Sequence, residues 1–230
     1  MSMNRLQPAI SFVSEHGILL EFTSADSHDV DHALQQRLHV LARLLAQHAI
    51  VGPLICDLIT APGSLLILLH DGATARRVLR HTETLWNNTT HNNPRQEQTA
   101  VKIPVRYGGS AGPDLAAAAQ YCGLSIPEFI SCHSSADYVV HNIGFMPGFA
   151  YLSGLPEQLH LPRKTTPAVR VPAGSVAIGG SFSGIYPTTS PGGWHIIGHT
   201  SLTLFNVQAD TPCLLQPGDR VQFVIEESVI

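Results

Sequence analysis

Glycine and proline interrupt the second half of the chain at short intervals, and this limits the length of any helix or strand there. Both residues are poorly tolerated inside regular elements and both favour turns. The interruptions include Pro147, Gly148, Gly154, Pro156, Pro162, Pro167, Pro172 and Gly174. Short β-prone segments lie among and beyond them, at 169–171, 175–178, 195–197, 201–205 and 220–225. Many short strands with frequent turn residues predict a β-barrel or a β-sandwich.

The first half shows longer apolar segments and two stretches with helical spacing. The predicted elements are a strand at 17–23, a helix at 29–48, strands at 54–60 and 64–70, a helix at 74–86 and a candidate strand at 99–107. Ser27 or Asp29 can cap the first helix, and the Pro62-Gly63 turn predicts a hairpin. This order is typical of a ferredoxin-like layer, in which two helices cover one face of an antiparallel sheet.

The chain therefore belongs to the α+β class, and we expect two domains. Residues 87–98 are polar and contain an Asn-Pro step, which predicts a linker. We place a ferredoxin-like α+β domain at 1–94 and a β-rich domain at 95–230. The second domain should begin with two short helices, one at 114–122 and one starting at Ser125, where Glu128 completes a capping box.

Composition excludes several classes of function. The chain has 230 residues and a net charge of -4, which argues against a nucleic-acid partner. No run of about 18 apolar residues predicts a membrane span, and no signal peptide is visible, so we expect a cytoplasmic protein. The four cysteines form no C-x-x-C pair, which favours free thiols over a zinc or redox site.

Common catalytic motifs are missing or weak. The sequence contains no Walker A loop and no G-x-G-x-x-G run opening a helix. Residues 108–112 fit the G-x-S-x-G pattern of a nucleophile elbow around Ser110, but a glycine turn is the favoured interpretation because no parallel sheet is predicted after it. His28 and His32 have metal-ligand spacing, yet a solvated helix face is favoured, and we predict no metal site.

The segment from 145 to 205 carries the most informative chemistry. Within it, Pro191-Gly192-Gly193-Trp194 places unhindered amide N–H groups beside a large aromatic ring. Such a loop can bind a carboxylate or a phosphate while the ring packs against one face of the ligand. The alternative is purely architectural, with the glycines forming turns and Trp194 filling a core.

Several motifs in this segment resemble the allophanate hydrolase subunit 1 family, which includes the B subunit of 5-oxoprolinase and a Kip-type inhibitor of a sporulation histidine kinase. They are F-x-P-G-F-x-Y-L from Phe145, V-P-A-G-S-V from Val171, G-I-Y-P from Gly184 and S-P-G-G-W-x-x-I-G-H-T from Ser190. The sequence from Ile103 to Leu115 is also similar. The sequence around 155–160 and 198–202 is most similar to the 5-oxoprolinase branch of the family. His141, Asn142, Ala150 and Ser153 depart from the family pattern.

The resemblance implies a fold, a reaction and partners. The β-rich domain should be a cyclophilin-like β-barrel. The chain should act as the B subunit of an ATP-dependent 5-oxoprolinase, which hydrolyses 5-oxo-L-proline to L-glutamate and is active only as a complex. Its partners would be the C subunit of that enzyme, similar to allophanate hydrolase subunit 2, and the A subunit, of the LamB/YcsF type. ATP would be a co-substrate, with Mg²⁺ at a shared site and no tightly bound cofactor on this chain.

The same motifs imply the site residues. We expect catalytic roles for Arg170, His199 and Ser175, with Arg170 or His199 as the source of positive charge. The predicted substrate-binding residues are Phe149, Tyr151, Gly174, Tyr186, Pro187, Ser190, Gly192, Gly193 and Trp194. Three other functions stay open: an inhibitor that docks on a sensor histidine kinase, a subunit of an allophanate or urea amidolyase-type hydrolase, and, by fold analogy alone, a prolyl isomerase.

Overall fold

A computed structural model describes residues 8–22, 32–89 and 99–229. The chain divides into two compact units, residues 1–96 and 97–230. Most of the predicted linker, the predicted caps Ser27 and Asp29, and the predicted boundary at 94 lie outside the described residues. Among the described residues, no helix is long and apolar enough to cross a membrane.

The first unit is a four-stranded antiparallel sheet with two helices. In chain order its elements are β1 (Ala9–Ser14), β2 (Gly17–Glu21), α1 (His32–Gln47), β3 (Ile55–Ala61), β4 (Ser64–Leu69) and α2 (Ala75–Asn88). Alternate residues of β4 are buried, namely Leu65, Ile67 and Leu69. They form one core with apolar residues of both helices, so both helices cover the same face of the sheet.

The strand order β1-β2-β4-β3 is that of a ferredoxin-like sheet in which one edge strand is replaced by another. The edge position beside β2 is filled by β1, an N-terminal hairpin strand that the sequence pattern did not predict. Residues of β1 are mostly exposed, so this edge strand lacks the buried alternation that identifies a strand. The candidate strand at 99–107 does not join this sheet, because it pairs within the second unit.

The second unit is built around a closed seven-stranded barrel with the order β10-β7-β6-β13-β5-β12-β9. The strands of this unit are β5 (Val101–Gly108), β6 (Tyr138–Ile143), β7 (Ala150–Ser153), β8 (Ala168–Val171), β9 (Ser175–Gly179), β10 (Phe182–Ile185), β11 (Ser190–Gly192), β12 (His195–His199) and β13 (Arg220–Val229). The pairing of β5 with β13 is parallel, and the other barrel pairings are antiparallel. The α+β fold with a barrel is confirmed.

Two helices connect β5 to β6, as the sequence predicts. They are α3 (Leu115–Tyr121) and α4 (Ile126–Ser135). The capping box of α4 is present: the Glu128 carboxylate accepts from the Ser125 N–H at 2.8 Å, and the Ser125 hydroxyl accepts from the Glu128 N–H at 3.4 Å. Before α3, the chain makes a glycine turn rather than a nucleophile elbow. A Cβ on Gly112 would lie 2.1 Å from the carbonyl oxygen of Ile197, so only glycine fits there.

Inside the barrel, the buried side chains of Tyr107, His133 and Ser183 form a series of hydrogen bonds. Every donor and acceptor in the series has a partner only when the imidazole of His133 is neutral. The Tyr107 hydroxyl lies 2.8 Å from Nδ1 of His133, and Nε2 of His133 lies 3.0 Å from the Ser183 hydroxyl. Ser183 in turn donates to the Ala177 carbonyl at 3.3 Å. This arrangement requires Nδ1 to accept from Tyr107 and Nε2–H to donate to Ser183. Burial lowers the pKa of His133 to about 3, which fits a neutral imidazole.

Two predicted strands differ from the structure. Residues 201–205 were expected to form a strand, but they form only an isolated bridge between Phe205 and Cys213. The Leu202 N–H bonds locally, donating to the Thr200 hydroxyl at 3.3 Å. The predicted strand at 169–171 is part of β8, which lies outside the barrel and pairs with β11 in a separate two-stranded sheet.

Candidate functional site

An aromatic cluster packs against the outer face of the barrel, over β9, β10 and β12. Alternation places Val176 and Ile178 of β9 in the barrel core, whereas Ala177 faces outward into this second cluster. The other buried members are Phe149, Val171, Tyr186, Trp194 and Ile196, with Met146, Tyr151, Ala168 and Phe182 packed at their edge. The cluster therefore gathers predicted site residues from several separate strands and turns.

Small residues form the floor of the cluster. Gly184 of β10 pairs with Ala177 of β9, and Gly179 follows two residues later on the same outer face. A Cβ on Gly179 would lie 2.5 Å from Nε1 of Trp194. A Cβ on Gly184 would lie 3.0 Å from both Phe149 and Trp194. Because these positions lack side chains, the two large rings rest directly on the barrel backbone.

The rings pack edge to face. Phe149 is central, with ring centroids 5.0 Å from Tyr151, 5.3 Å from Tyr186 and 5.4 Å from Trp194. Its interplanar angles with Tyr186 and Trp194 are 80° and 82°, the T-shaped arrangement that aromatic quadrupoles favour. Trp194 is 6% exposed and Tyr186 is 2% exposed. In the free chain these two rings thus form a rigid support just below the surface.

The glycine loop, residues 190–194, closes over the hydroxyl of Tyr186. A Cβ on Gly192 would lie 2.2 Å from that hydroxyl oxygen, and the backbone N–H of Trp194 hydrogen-bonds to it. Gly193 is different, because its Cβ would meet nothing closer than 3.7 Å. The loop is therefore shaped by Tyr186 at Gly192, whereas a Cβ at Gly193 would make only ordinary van der Waals contacts with Pro167 and Lys164.

Arg163 influences two tyrosines of the cluster electrostatically. Burial raises the pKa of Tyr186 above its ordinary value, while the N–H of Trp194 and the positive charge of Arg163 oppose that rise. Burial also raises the pKa of Tyr151, and Arg163 again opposes it. Both hydroxyls therefore stay protonated at neutral pH and remain able to donate hydrogen bonds.

A carboxylate and an ammonium hold the far end of the glycine loop. Oδ2 of Asp114 accepts from the Ile196 N–H at 2.7 Å and lies 2.5 Å from Nζ of Lys164. The Lys164 backbone N–H donates to the Gly193 carbonyl at 2.8 Å. These bonds fix the path of the chain from Gly193 to Ile196, so Asp114 and Lys164 position the loop.

A strained turn presents an aromatic ring at the edge of the cluster. Phe145 is the only described non-glycine residue with a positive φ, 65°. The N–H of Met146 donates to the carbonyl of Gly144 at 2.7 Å, which makes a γ-turn centred on Phe145. The Phe145 ring is 61% exposed and lies 5.4 Å from Phe149. Strain of this kind concentrates at binding sites, where the structure holds a side chain in an otherwise unfavourable place.

The predicted catalytic residues lie beside this cluster. Ser175 and His199 are directly opposite each other on β9 and β12, so their side chains point to the same face. Ser175 is 2% exposed, and His199 is half-buried. Nε2 of His199 lies 2.9 Å from the carbonyl of Ala173, while its Nδ1 is buried without a partner among the described residues. Arg170 is exposed on β8.

The remaining predicted residues lie at or just below the surface. Pro187, Ser190, Gly192, Gly193 and Tyr151 are half-buried. Gly174 is buried, with φ 81°, and its Cβ would lie 2.2 Å from the Thr200 carbonyl oxygen. The structure thus brings the glycine loop, Tyr151 and Tyr186 together around one cluster. Gly174 lies in the turn that joins β8 to β9, and the ring of His199, on β12, contacts the same turn.

No described group of three or more His, Cys, Asp or Glu side chains could hold a metal ion. His28 and the side chain of His32 lie outside the described residues. We assign Mg²⁺ to no residue of this chain.

The sequence and the fold of this chain have counterparts among known proteins. Residues 8–215 match the model of the carboxyltransferase domain, subdomain C and D, and the chain belongs to that family.

Three relatives with similar sequences are all B subunits of 5-oxoprolinase. The chain is 45% identical over 181 residues to the protein of Escherichia coli O157:H7, covering 78% of this chain and 82% of that one. It is 51% identical over 126 residues to the Haemophilus influenzae protein, covering 55% and 59%. The Bacillus subtilis protein is 48% identical over 124 residues, covering 54% and 52%.

Solved structures give the same picture of the fold. Protein TTHA0988 matches with a TM-score of 0.76 and 35% identity over 92% of this chain, which spans only 40% of that longer chain. The conserved uncharacterized protein PH0987 from Pyrococcus horikoshii matches with a TM-score of 0.56 and 33% identity, covering 95% of this chain and 98% of that one. Urea carboxylase of Kluyveromyces lactis shares the fold, with a TM-score of 0.61 and 20% identity over 96% of this chain and 22% of that one.

Sequence reasoning missed several residues that shape this site. Asp114 and Lys164 are 50 positions apart, and no motif links them. Gly179 was not singled out, and Gly184 and Phe145 entered only as the first residues of family motifs. The roles of Gly179 and Gly184 depend on which face of a strand each occupies, and the closed barrel is needed to show that face.

Proposed function

We propose that this chain is the B subunit of an ATP-dependent 5-oxoprolinase, which hydrolyses 5-oxo-L-proline to L-glutamate as ATP is converted to ADP and phosphate. The observation that carries the proposal is the 45% identity to the Escherichia coli B subunit across 78% of the chain. The glycine loop beside two tyrosine hydroxyls is consistent with a small, polar, anionic substrate.

The chemistry of the substrate explains the use of ATP. A lactam carbonyl is a poor electrophile, and transfer of the γ-phosphoryl group of ATP to its oxygen makes the carbonyl carbon a good one, so that water can add to this carbon before the carbon–nitrogen bond breaks. The charge that develops on oxygen is best stabilised by donors that are fixed before the reaction. On this chain we propose the amide of the half-buried Gly193 and the hydroxyl of the half-buried Tyr151 as those donors.

The other predicted residues have supporting roles in this proposal. Trp194 and Phe149 hold the loop and Tyr186 in place, and Phe145 offers an exposed ring against which a flat lactam can lie. Ser190 and Pro187 line the loop. Arg170, His199 and Ser175 surround the neighbouring turn, where a cation faces the anionic phosphate of the intermediate.

The chain needs partners to complete the reaction. The sequence contains no common phosphate-binding loop, and the described residues hold no cluster suited to Mg²⁺. We therefore propose that ATP with its Mg²⁺ binds at a site shared with the C or the A subunit of the enzyme. A relative in which this domain makes up only 40% of a longer chain is consistent with an assembly of several domains.

Reconstitution tests the proposal. ADP release should be measured with 5-oxo-L-proline for this chain alone, with each partner, and with all three subunits. Release only by the complete set, and only with 5-oxoproline present, supports the proposal. A complete and correctly assembled complex that releases no ADP in response to 5-oxoproline contradicts it.

The inhibitor alternative makes a different prediction. A regulatory module would lower the autophosphorylation of a sensor histidine kinase without any partner subunit. Testing the isolated chain against such a kinase in parallel separates the two functions, because only the enzyme requires 5-oxoproline and the partner chains.

A further inference from the structure

The turn between β6 and β7 holds the backbone of Phe145 from both sides. The Gly144 N–H donates to the carbonyl of Phe149 at 3.1 Å, and the Phe149 N–H donates to the carbonyl of Met146 at 3.0 Å. Together with the bond from the Met146 N–H to the Gly144 carbonyl, these contacts keep Phe145 at a φ of 65°. A residue other than glycine adopts this conformation only where the surrounding structure imposes it.

Two ring contacts locate the side chain of Phe145. Its centroid lies 5.4 Å from that of Phe149 and 6.3 Å from that of Tyr186, with interplanar angles of 84° and 88°. Both neighbouring rings are thus perpendicular to Phe145, and no described ring is stacked parallel to it. The side chain is 61% exposed, so a flat molecule can reach the ring from solvent.

The same turn borders Tyr151, whose hydroxyl is one of the donors proposed above. A Cβ built on Gly144 would lie 3.5 Å from Cε2 of Tyr151, the ring carbon next to the one that carries the hydroxyl. Phe149 contacts both aromatic side chains, since its centroid is 5.0 Å from that of Tyr151. The hydroxyl end of Tyr151 therefore lies beside the residue that precedes Phe145.

An exposed aromatic face distinguishes flat ligands from flexible ones. The amide group of a five-membered lactam lies close to the plane of its ring, so the whole ring can stack on a phenyl face. Hydrolysis opens this ring and gives glutamate, a flexible and fully charged chain. Ordering that chain on an apolar surface costs rotational freedom and offers no flat face in return.

We infer that the Phe145 ring stacks on the closed lactam and thereby favours the substrate over its ring-opened product. This inference rests on the proposed function and deepens it. The stacking contact is lost when hydrolysis breaks the carbon–nitrogen bond, so the site holds glutamate less tightly than 5-oxoproline. The rigid turn makes the contact effective, because the ring is already in place before the substrate binds.

The test measures substrate and product on the complete complex. The kcat and KM for 5-oxo-L-proline and the inhibition constant of L-glutamate should be determined for the wild type, Phe145→Leu, Phe145→Gly and Phe145→Tyr. Glycine adopts a positive φ without strain, so Phe145→Gly provides a ring-free variant even if leucine disturbs the turn. The matched control is Phe12→Leu, because Phe12 is 57% exposed on β1 of the other unit.

The expected result is a selective loss of substrate binding. Phe145→Leu and Phe145→Gly should raise KM for 5-oxo-L-proline by about 3- to 10-fold with little change in kcat, because one stacking contact is lost. The inhibition constant of L-glutamate should stay unchanged. Phe145→Tyr should match the wild type because it keeps the aromatic face, and Phe12→Leu should also match it. Co-purification with the partner subunits should be the same for all variants.

The outcomes that overturn the inference are distinguishable from failure of the proposed function. An unchanged KM in both ring-free variants, or an equal rise in KM and in the inhibition constant of L-glutamate, contradicts stacking on the lactam and leaves the proposed function standing. Loss of co-purification in the ring-free variants instead assigns Phe145 to a subunit interface. A correctly assembled wild-type complex that is inactive with 5-oxoproline overturns the proposed function, and this inference with it.

Discussion

The hydroxyl of Tyr186 occupies the space that a side chain on Gly192 would need, since a Cβ built there would lie 2.2 Å from the hydroxyl oxygen. The neighbouring Gly193 has no such constraint, with 3.7 Å to its nearest contact. The loop therefore contains one glycine that packing requires and one at which a Cβ would fit without overlap.

Alanine substitutions at Gly192 and Gly193 should therefore differ in their effect on stability. Gly192→Ala should destabilise the second unit by about 1–3 kcal/mol, because the tyrosine or the loop must move to avoid the overlap. Gly193→Ala should change stability by less than about 0.5 kcal/mol. Urea unfolding of the two variants checks this, and equal stability of both would contradict the packing described for Tyr186.

The contact between Gly179 and Trp194 predicts a spectroscopic change. Gly179→Ala places a methyl group where the indole lies, 2.5 Å from Nε1, and should push the ring toward solvent. The chain has two tryptophans, so Trp86→Phe provides a background in which only Trp194 emits. In that background we expect a red shift of the fluorescence maximum for Gly179→Ala. An unchanged spectrum would mean that the indole does not rest on this strand.

Asp114 and Lys164, which hold the end of the glycine loop, should contribute unequally to the stability of the second unit. Asp114 accepts from both Lys164 and the Ile196 N–H, whereas the Lys164 side chain serves Asp114 alone. Asp114→Ala should therefore cost more stability than Lys164→Met, about 1–3 kcal/mol, because an amide near the core loses its acceptor. Thermal unfolding of the two variants provides the comparison. A larger loss for Lys164→Met would contradict the anchoring role of Asp114.

The buried imidazole of His133 predicts a pH dependence of stability. Its pKa is lowered from 6.5 to about 3 because it is buried, whereas in the unfolded chain it titrates normally. Between those values the unfolded state binds more protons, so stability falls as the pH falls through this window, by up to about 1.4 kcal/mol per pH unit from this group. NMR titration of the native protein should show the His133 ring neutral at about pH 5. A midpoint close to the ordinary histidine value would contradict the neutral hydrogen-bonded chain through Tyr107 and Ser183.

The fold could be predicted from patterns that act over short distances. Helices α1 and α2 carry apolar residues at helical spacing, and Ser125 with Glu128 specifies the start of α4. Strand β1 escaped prediction because an exposed edge strand buries no alternating face. The segment at 201–205 has a strand-like sequence, yet the Leu202 N–H donates to the nearby Thr200 hydroxyl, and propensity alone does not reveal that competition.

The site was predictable only in part, for a related reason. The loop at 190–194 was singled out because it places glycine amides beside tryptophan, and Phe149, Tyr151 and Tyr186 were named because they belong to family motifs. Lys164 and Asp114 could not be paired from the sequence, because barrel closure brings them together across 50 positions.

The most direct measurement is turnover by the complete complex when the Tyr186 hydroxyl alone is removed. Tyr186→Phe keeps the ring that packs on Phe149 but eliminates the group around which Gly192 and the Trp194 N–H are arranged. We predict that kcat/KM for 5-oxo-L-proline falls at least about 10-fold, with unchanged assembly and circular dichroism. Wild-type turnover by a correctly assembled Tyr186→Phe complex would contradict the placement of the site at this loop.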